Sequence, residues 1–330
     1  MTQPASPPAF EGHRAAAAWH DGDPAPPRGA VAAIGNFDGV HRGHRHLLDA
    51  TLAQARRLGR PAAILTFEPH PRDFFRPGAG SFRLTPEPVK QKILGAFGID
   101  LVFVKRFDGG LAGTDARTFV MEILRGQLGL RAAVIGGDFH FGRGRTGTPA
   151  LLADFGREAG IDVHVQEMVQ GRGASISSSR IREALAAGDI AAAEELLGYR
   201  WFVEGEVRHG EKIGRTLGFP TANLALPASC GLRHGIYAVR AAVAPGVVHA
   251  GVASFGRRPT FDDGAPLFET HLFDFAGDLY GRRIEVELLD WIRPEEKFAS
   301  AEALVAAMGR DAERARAIAA HPRPALSLIG

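Results

Sequence analysis

Residues 31–48, VAAIGNFDGVHRGHRHLL, constrain the fold of this chain more than any other stretch. Val31, Ala32, Ala33 and Ile34 make an uninterrupted small apolar run, the pattern of a strand covered on both faces in a parallel sheet. Leu48, Leu52, Ala55 and Leu58 then recur at helical spacing. The turn between them therefore follows the carboxyl end of a strand, which is where open α/β sheets bind ligands. Gly35, Gly39 and Gly43 let phosphate groups approach backbone N–H groups at the helix start, and His41 and His44 add side-chain donors. Zinc fits this pair less well, because a zincin helix places a glutamate between histidines four apart, whereas Arg42 and Gly43 intervene here.

Strands and helices alternate over residues 29–198, which argues for a parallel sheet flanked by helices. Strands are predicted at 31–35, 62–67, 101–107, 132–136 and 163–167. Thr85 reads as an N-cap with Pro86 and Glu87 in the first turn, and Thr114 with Asp115 opens the following helix in the same way. Residues 66–71, TFEPHP, read as a proline-stiffened loop. Gly142, Gly144 and Gly147 satisfy G-x-G-x-x-G, but residues 137–141 separate them from the preceding strand. That spacing argues for a mobile basic loop over a dinucleotide fingerprint. At 176–182, ISSSRIR leads into a helix predicted to run over 183–197. Its serines suit capping of the helix, and the same hydroxyls with free N–H groups also offer an anion site that Arg182 could complete; the pattern leaves capping alone open.

After residue 198 β-rich segments follow one another at 201–208, 235–243, 247–255, 267–275 and 283–291, the texture of a small antiparallel barrel, and a helix is predicted over about 300–319. A chain of 330 residues accommodates both domains, 29–198 and 199–330, behind a proline-rich segment, 1–28, that reads as a disordered tail. Thr221 and Asn223 offer a hydroxyl and a carbonyl oxygen, hard ligands that suit Mg²⁺ held together with substrate phosphates, although P-T-x-N is also an ordinary turn sequence. No Walker A sequence occurs, so phosphate binding here requires another cradle. Glu269 and His271 share one face of a strand, opposite Phe268 and Leu272. A carboxylate facing into a barrel is costly unless paired or used, and one facing out carries no message; the pattern leaves both open. The net charge of +2, with no basic block, gives no reason to expect nucleic acid or an anionic membrane as partner. A single cysteine, Cys230, excludes an intrachain disulfide and suits a cytoplasmic protein, as does the lack of a signal-peptide apolar core or an apolar run long enough to span a bilayer.

The string G-x-F-D-G-V-H-x-G-H, formed by Gly35, Phe37, Asp38, Gly39, Val40, His41, Gly43 and His44, resembles the opening of the bifunctional riboflavin kinase/FAD synthetase family, and its H-x-G-H is similar to the nucleotidyltransferase superfamily signature. Further matches follow in order. They are F-E-P-H-P at 67–71, G-x-D-F-x-F-G-x-G-R at 136–145, S-S-x-x-I-R at 177–182 and G-x-x-x-G-R-x-L-G-F-P-T-A-N at 210–223. Residues 258–260, 278–281 and 293–298 match as well, so the resemblance covers about 30–308. It implies an α/β nucleotidyltransferase domain that adenylylates FMN to FAD with release of pyrophosphate. The following barrel with its terminal helix is implied to phosphorylate riboflavin to FMN, both steps using ATP and Mg²⁺. Within the first site the resemblance implies charge stabilisation by His41, His44 and Arg182, and ATP binding by Gly35, Phe37, Asp38, Gly43, Ser177 and Ser178. Asp138 and His70 are implied to lie near nucleotide or flavin. Within the second site it implies ATP binding by Gly210, Lys212, Gly214 and Arg215, metal binding by Thr221 and Asn223, flavin binding by Arg293, and Glu269 as general base. Two departures stand out: Ser179 where the family has threonine, and Ser254-Phe255 where it commonly has Asn-Ile. A flavin carrier that consumes no ATP, or a chain in which one half has lost its activity, is the competing reading.

Overall fold

In the computed structural model, residues 15–76, 80–167, 176–210, 218–257 and 266–330 are described. Lys212, Gly214 and Arg215, and the matched residues 258–260, lie outside them.

The described residues divide into two compact units. One comprises residues up to 36 with 47–68 and 87–167. Its six-stranded sheet contains β1 (Ala17–His20), β2 (Val31–Ile34), β3 (Ala62–Glu68), β4 (Leu101–Arg106), β5 (Ala132–Gly136) and β6 (Asp162–Gln166), in the order β1-β4-β3-β2-β5-β6. Every pairing is parallel, with Val31 opposite both Ala62 and Ala132. All four residues of β2 are buried, as its apolar run requires of a central strand with both faces covered. The chain passes from β2 outward to β3 and β4, then returns to β5 on the other side of β2. The switch point of the sheet thus lies between β2 and β5, whose carboxyl ends lead into Gly35 and Asp138. Phe119, Leu124, Phe103, Ile135 and Leu152 contribute to the core that covers the sheet.

The other unit contains residues 37–46, 69–86 and 168 onward. Here β7 (Phe202–Arg208), β8 (Ala222–Ala225), β9 (Gly235–Ala244), β10 (Val247–Arg257), β11 (Pro266–Leu272) and β12 (Arg283–Arg293) close into a barrel with antiparallel pairings. Tyr237, Phe255 and Phe268 are fully buried and meet ring to ring. The terminal helix, Ala301–Ala320, starts where Ser300 accepts the Ala303 N–H and packs through Ala315 against Leu289 and Ile292. Glu287, buried on β12, accepts from Arg240 Nε at 2.7 Å and from Ser327 Oγ at 2.7 Å, with Arg200 Nη1 at 3.7 Å.

Three local expectations require correction. Residues 17–20, within the segment expected to be disordered, form β1 on β4. Backbone hydrogen bonding extends to the Ala17 N–H, and the Trp19 ring lies 6.1 Å edge-on from Phe103, so apolar contact outweighs the surrounding prolines. The helix expected over 183–197 is two helices, Ser178–Ala187 and Ile190–Leu197, because Gly188 closes the first in the left-handed conformation and Asp189 caps the second. The G-x-G-x-x-G loop is tied down, since Phe141 and Gly147 exchange backbone hydrogen bonds and Arg143 N donates to Thr114 O. Asn223, the last residue of the P-T-x-N sequence, lies on a barrel strand.

Truncating Glu287 to alanine leaves Arg200 and Arg240 without their shared buried counter-charge and should destabilise the protein by about 3–5 kcal/mol, read as a lower urea midpoint.

Candidate active sites

The turn after β2 departs from ordinary backbone geometry: Phe37 and Val40 have φ of 49° and 37°, with Gly39 at 84°. Two non-glycine residues in this region need support from their surroundings. Support comes through Asp38, whose buried carboxylate accepts from Thr85 N at 3.0 Å and Leu84 N at 3.3 Å and pairs with Arg182 Nη2. The Thr85 hydroxyl accepts the Gly39 N–H at 2.9 Å, so it closes this turn, while the helix that it was expected to cap begins at Glu87. Ser178 Oγ donates to the Asp38 carbonyl at 2.8 Å, and Ser177 caps the Ser178–Ala187 helix. One carboxylate thereby gathers three separate chain segments.

His41 and His44 lie on the far side of this knot, their rings stacked at 3.7 Å and Phe37 4.9 Å from His44. A side chain on Gly43 would meet the His41 ring at 3.2 Å, so glycine is what permits the stack. Burial pushes the His41 pKa down to about 4, outweighing the nearby Asp38 charge. His41 is therefore neutral near pH 7, and because its Nδ1 accepts the His44 N–H at 3.3 Å its ring proton is on Nε2, a neutral N–H donor. Arg182, expected to act on the ligand, spends Nη2 on Asp38 and Nε on the Phe82 carbonyl at 2.6 Å. His70 caps the Pro71–Phe75 helix, with Nδ1 accepting from Arg72 N. In the sheet unit, Gly35 N donates to Leu65 O at the end of β2, and Asp138 is exposed after β5.

On the barrel, the half-buried and buried positions of β11 alternate so that Glu269 and His271 lie on the face opposite buried Phe268, Thr270 and Leu272. Glu269 stands opposite Asn223 on one side and Ser254 on the other. With its amide oriented to satisfy both neighbours, Asn223 donates to Glu269 Oε1 and accepts from Gly210 N, each at 3.2 Å. A cavity of about 70 Å³ is lined by Thr221, Thr270, Asp278 and Tyr280, and the Thr270 hydroxyl is buried without a hydrogen-bond partner. Arg293 forms a forked pair with Asp311 of the terminal helix, with Nη2 to Oδ2 at 2.6 Å, and this partner holds its pKa above the ordinary value.

Sequence reasoning brought His41, His44, Asp38, Ser178 and Arg182 to one place, and Asn223 and Glu269 to another. It missed the part played by Thr85, whose position before a proline signalled only a cap, and by Asp311, which carries no signal outside the packed helix.

Known proteins were compared with this chain. A family model described as FAD synthetase matches residues 23–180, and one described as riboflavin kinase matches 197–319. A protein of Escherichia coli K12 named bifunctional riboflavin kinase/FMN adenylyltransferase is 40% identical over 306 residues, covering 93% of this chain and 98% of that protein. One of the same name from Pseudomonas fluorescens is 42% identical over 294 residues, covering 89% and 94%. Among solved structures, one titled as a macrolide-efflux protein from Streptococcus pneumoniae superposes with a TM-score of 0.78 at 30% identity, covering 88% of this chain and 94% of that one.

Because the folded His41 stays neutral down to about pH 4 while the unfolded residue takes up its proton near 6.5, stability is fully present above pH 6.5 and falls as pH drops towards 4. The loss amounts to roughly 3 kcal/mol. His41→Asn should flatten that part of the curve when urea midpoints are measured from pH 7 down to pH 4.

Proposed function

The chain belongs to the bifunctional riboflavin kinase/FMN adenylyltransferase family and carries both activities, converting riboflavin to FMN and FMN to FAD with ATP as substrate; from that premise we propose which residues perform each step. The FAD synthetase match ends at 180 and the riboflavin kinase match begins at 197; we divide the activities after residue 198, with adenylyl transfer assigned to 29–198 and the kinase to 199–330. The observation that carries the assignment of the first site is the buried Asp38 knot, which holds the strained turn and presents His41 and His44.

In adenylyl transfer an FMN phosphate oxygen attacks the α-phosphorus of ATP while the bond to the departing pyrophosphate breaks, so no covalent nucleophile of the protein is needed. Charge grows on the bridging and terminal phosphate oxygens. The neutral Nε2–H of His41 and the His44 ring donate to them, at a helix start whose N–H groups also favour anions. Gly35, Phe37, Asp38, Gly43, Ser177 and Ser178 shape this phosphate site, with Arg182 holding Asp38. His70 is assigned to the surroundings of this site, and Asp138, exposed after β5, to nucleotide or flavin binding in the sheet unit.

In the kinase step Glu269 takes the proton from riboflavin's terminal ribityl hydroxyl as that oxygen attacks the γ-phosphorus and ADP leaves. Asn223 orients the carboxylate through its 3.2 Å hydrogen bond. Thr221 and Asn223 offer neutral oxygen donors and would hold Mg²⁺ beside the phosphates, where the cation would offset charge on the transferring group. ATP binding falls to Gly210, Lys212, Gly214 and Arg215. Arg293, fixed by Asp311, seats the terminal helix beside the flavin. Among the described residues no helix is long and apolar enough to cross a membrane, and we assign the enzyme to the cytoplasm, where Cys230 stays reduced.

Incubation with riboflavin, ATP and Mg²⁺, with flavins resolved over time, should yield FMN first and FAD after it. Glu269→Gln should slow FMN formation by about 10²- to 10⁴-fold and spare FMN adenylylation. His44→Ala should do the reverse. Either substitution removing both activities from a folded protein would overturn the two-site assignment.

A further inference from the structure

The FAD synthetase match ends at residue 180 and the riboflavin kinase match starts at 197, yet residues beyond 197 hold the turn that carries His41 and His44. Tyr199, fully buried, donates its hydroxyl to the Gly39 carbonyl at 2.8 Å. Trp201 Nε1 donates to the Leu84 carbonyl at 2.9 Å. The N–H of that same Leu84 binds Asp38, and the Trp201 ring stands edge-on 5.8 Å from Phe82, whose carbonyl accepts from Arg182. Between these two residues Arg200 turns to the barrel, with its guanidinium beside Glu287 and its N–H donating to Leu326 O. Three consecutive residues thus reach alternately to the turn, the barrel and the Asp38 loop.

A second tie repeats the arrangement. Arg233, just before β9, donates from its backbone N–H to Leu185 O at 3.0 Å and from Nη1 to Ala187 O at 2.8 Å. Both acceptors lie at the carboxyl end of the helix that bears Arg182. The Arg233 guanidinium itself sits 3.9 Å over the Trp291 ring of β12.

We propose that Tyr199 and Trp201, although they belong to the segment matching riboflavin kinase, are positioning residues for adenylyl transfer. Their donors fix the carbonyls of Gly39 and Leu84, and through them the backbone that presents the two histidines. No neighbouring water replaces the Tyr199 hydroxyl in a fully buried position, so deleting it strands the Gly39 carbonyl in a turn that already holds Phe37 and Val40 at positive φ. The inference rests on the reading of that turn as the ATP phosphate site.

Tyr199→Phe and Trp201→Phe keep the ring volume or most of it and remove one donor each. Measured on the full chain, each should lower kcat for FMN adenylylation by about tenfold, while the stranded carbonyl lowers the thermal midpoint by only a few degrees. KM for FMN and riboflavin kinase kcat should change little. His44→Ala is run beside them. If it abolishes FAD formation while both aromatic variants retain wild-type kcat, the positioning role is refuted. Parallel loss of both activities with a lowered thermal midpoint would equally refute it, because that pattern is a folding defect. Should His44→Ala retain full FAD formation, the phosphate-site reading fails first and the inference falls with it.

Discussion

A carboxylate buried at a strained turn is stable only if its charge and all its lone pairs are answered, and Asp38 meets that condition with an arginine, two backbone N–H groups and a threonine hydroxyl. The demand runs both ways. Residues 82–85 and the helix bearing Arg182 are far from Asp38 in the chain, and the need to satisfy one charge brings them together. The positive φ values at Phe37 and Val40 are tolerable because this network surrounds them. His41 is buried by the same packing, which is why it is neutral and can serve as an N–H donor without bringing a second charge.

The barrel buries a charge of its own, Glu287 with Arg200 and Arg240, away from the Glu269 face. Aromatic rings pack in its interior, and Glu269 and Asn223 stand opposite each other by register on the other face of the strands. Alternation along β11 separates these roles: Phe268, Thr270 and Leu272 pack, while Glu269 and His271 face outward. The carboxylate is neither an inward-facing cost nor an idle surface acid. Its partner on the adjacent strand gives it an orientation.

Much of this was legible from local pattern. The four-residue apolar run of β2, the glycine-punctuated turn and the helical repeat after it are short-range signals, and they specify a strand, a turn and a helix whatever surrounds them. The 136–145 loop and the 17–20 strand were less legible, because their outcome depends on partners elsewhere in the chain. Arg143 is tied by the Thr114 carbonyl, and Ala17–His20 by pairing with β4. Thr85 shows the same limit at a single residue: its sequence context is that of a helix cap, and its hydroxyl nevertheless closes a turn at Gly39.

The sequence by itself determined most of the elements, the change of texture between the two halves, and the residue types that phosphate chemistry uses, since these follow from periodicity, glycine placement and motif spacing. Only the tertiary structure decided which long-range partner each of those residues takes. Arg182 is bound to Asp38, Arg293 to Asp311, and Tyr199 to the Gly39 carbonyl. The physical reason is that a side chain's role depends on which long-range partner satisfies its hydrogen bonds and charge. That partner is chosen by packing, which no local window of the chain contains.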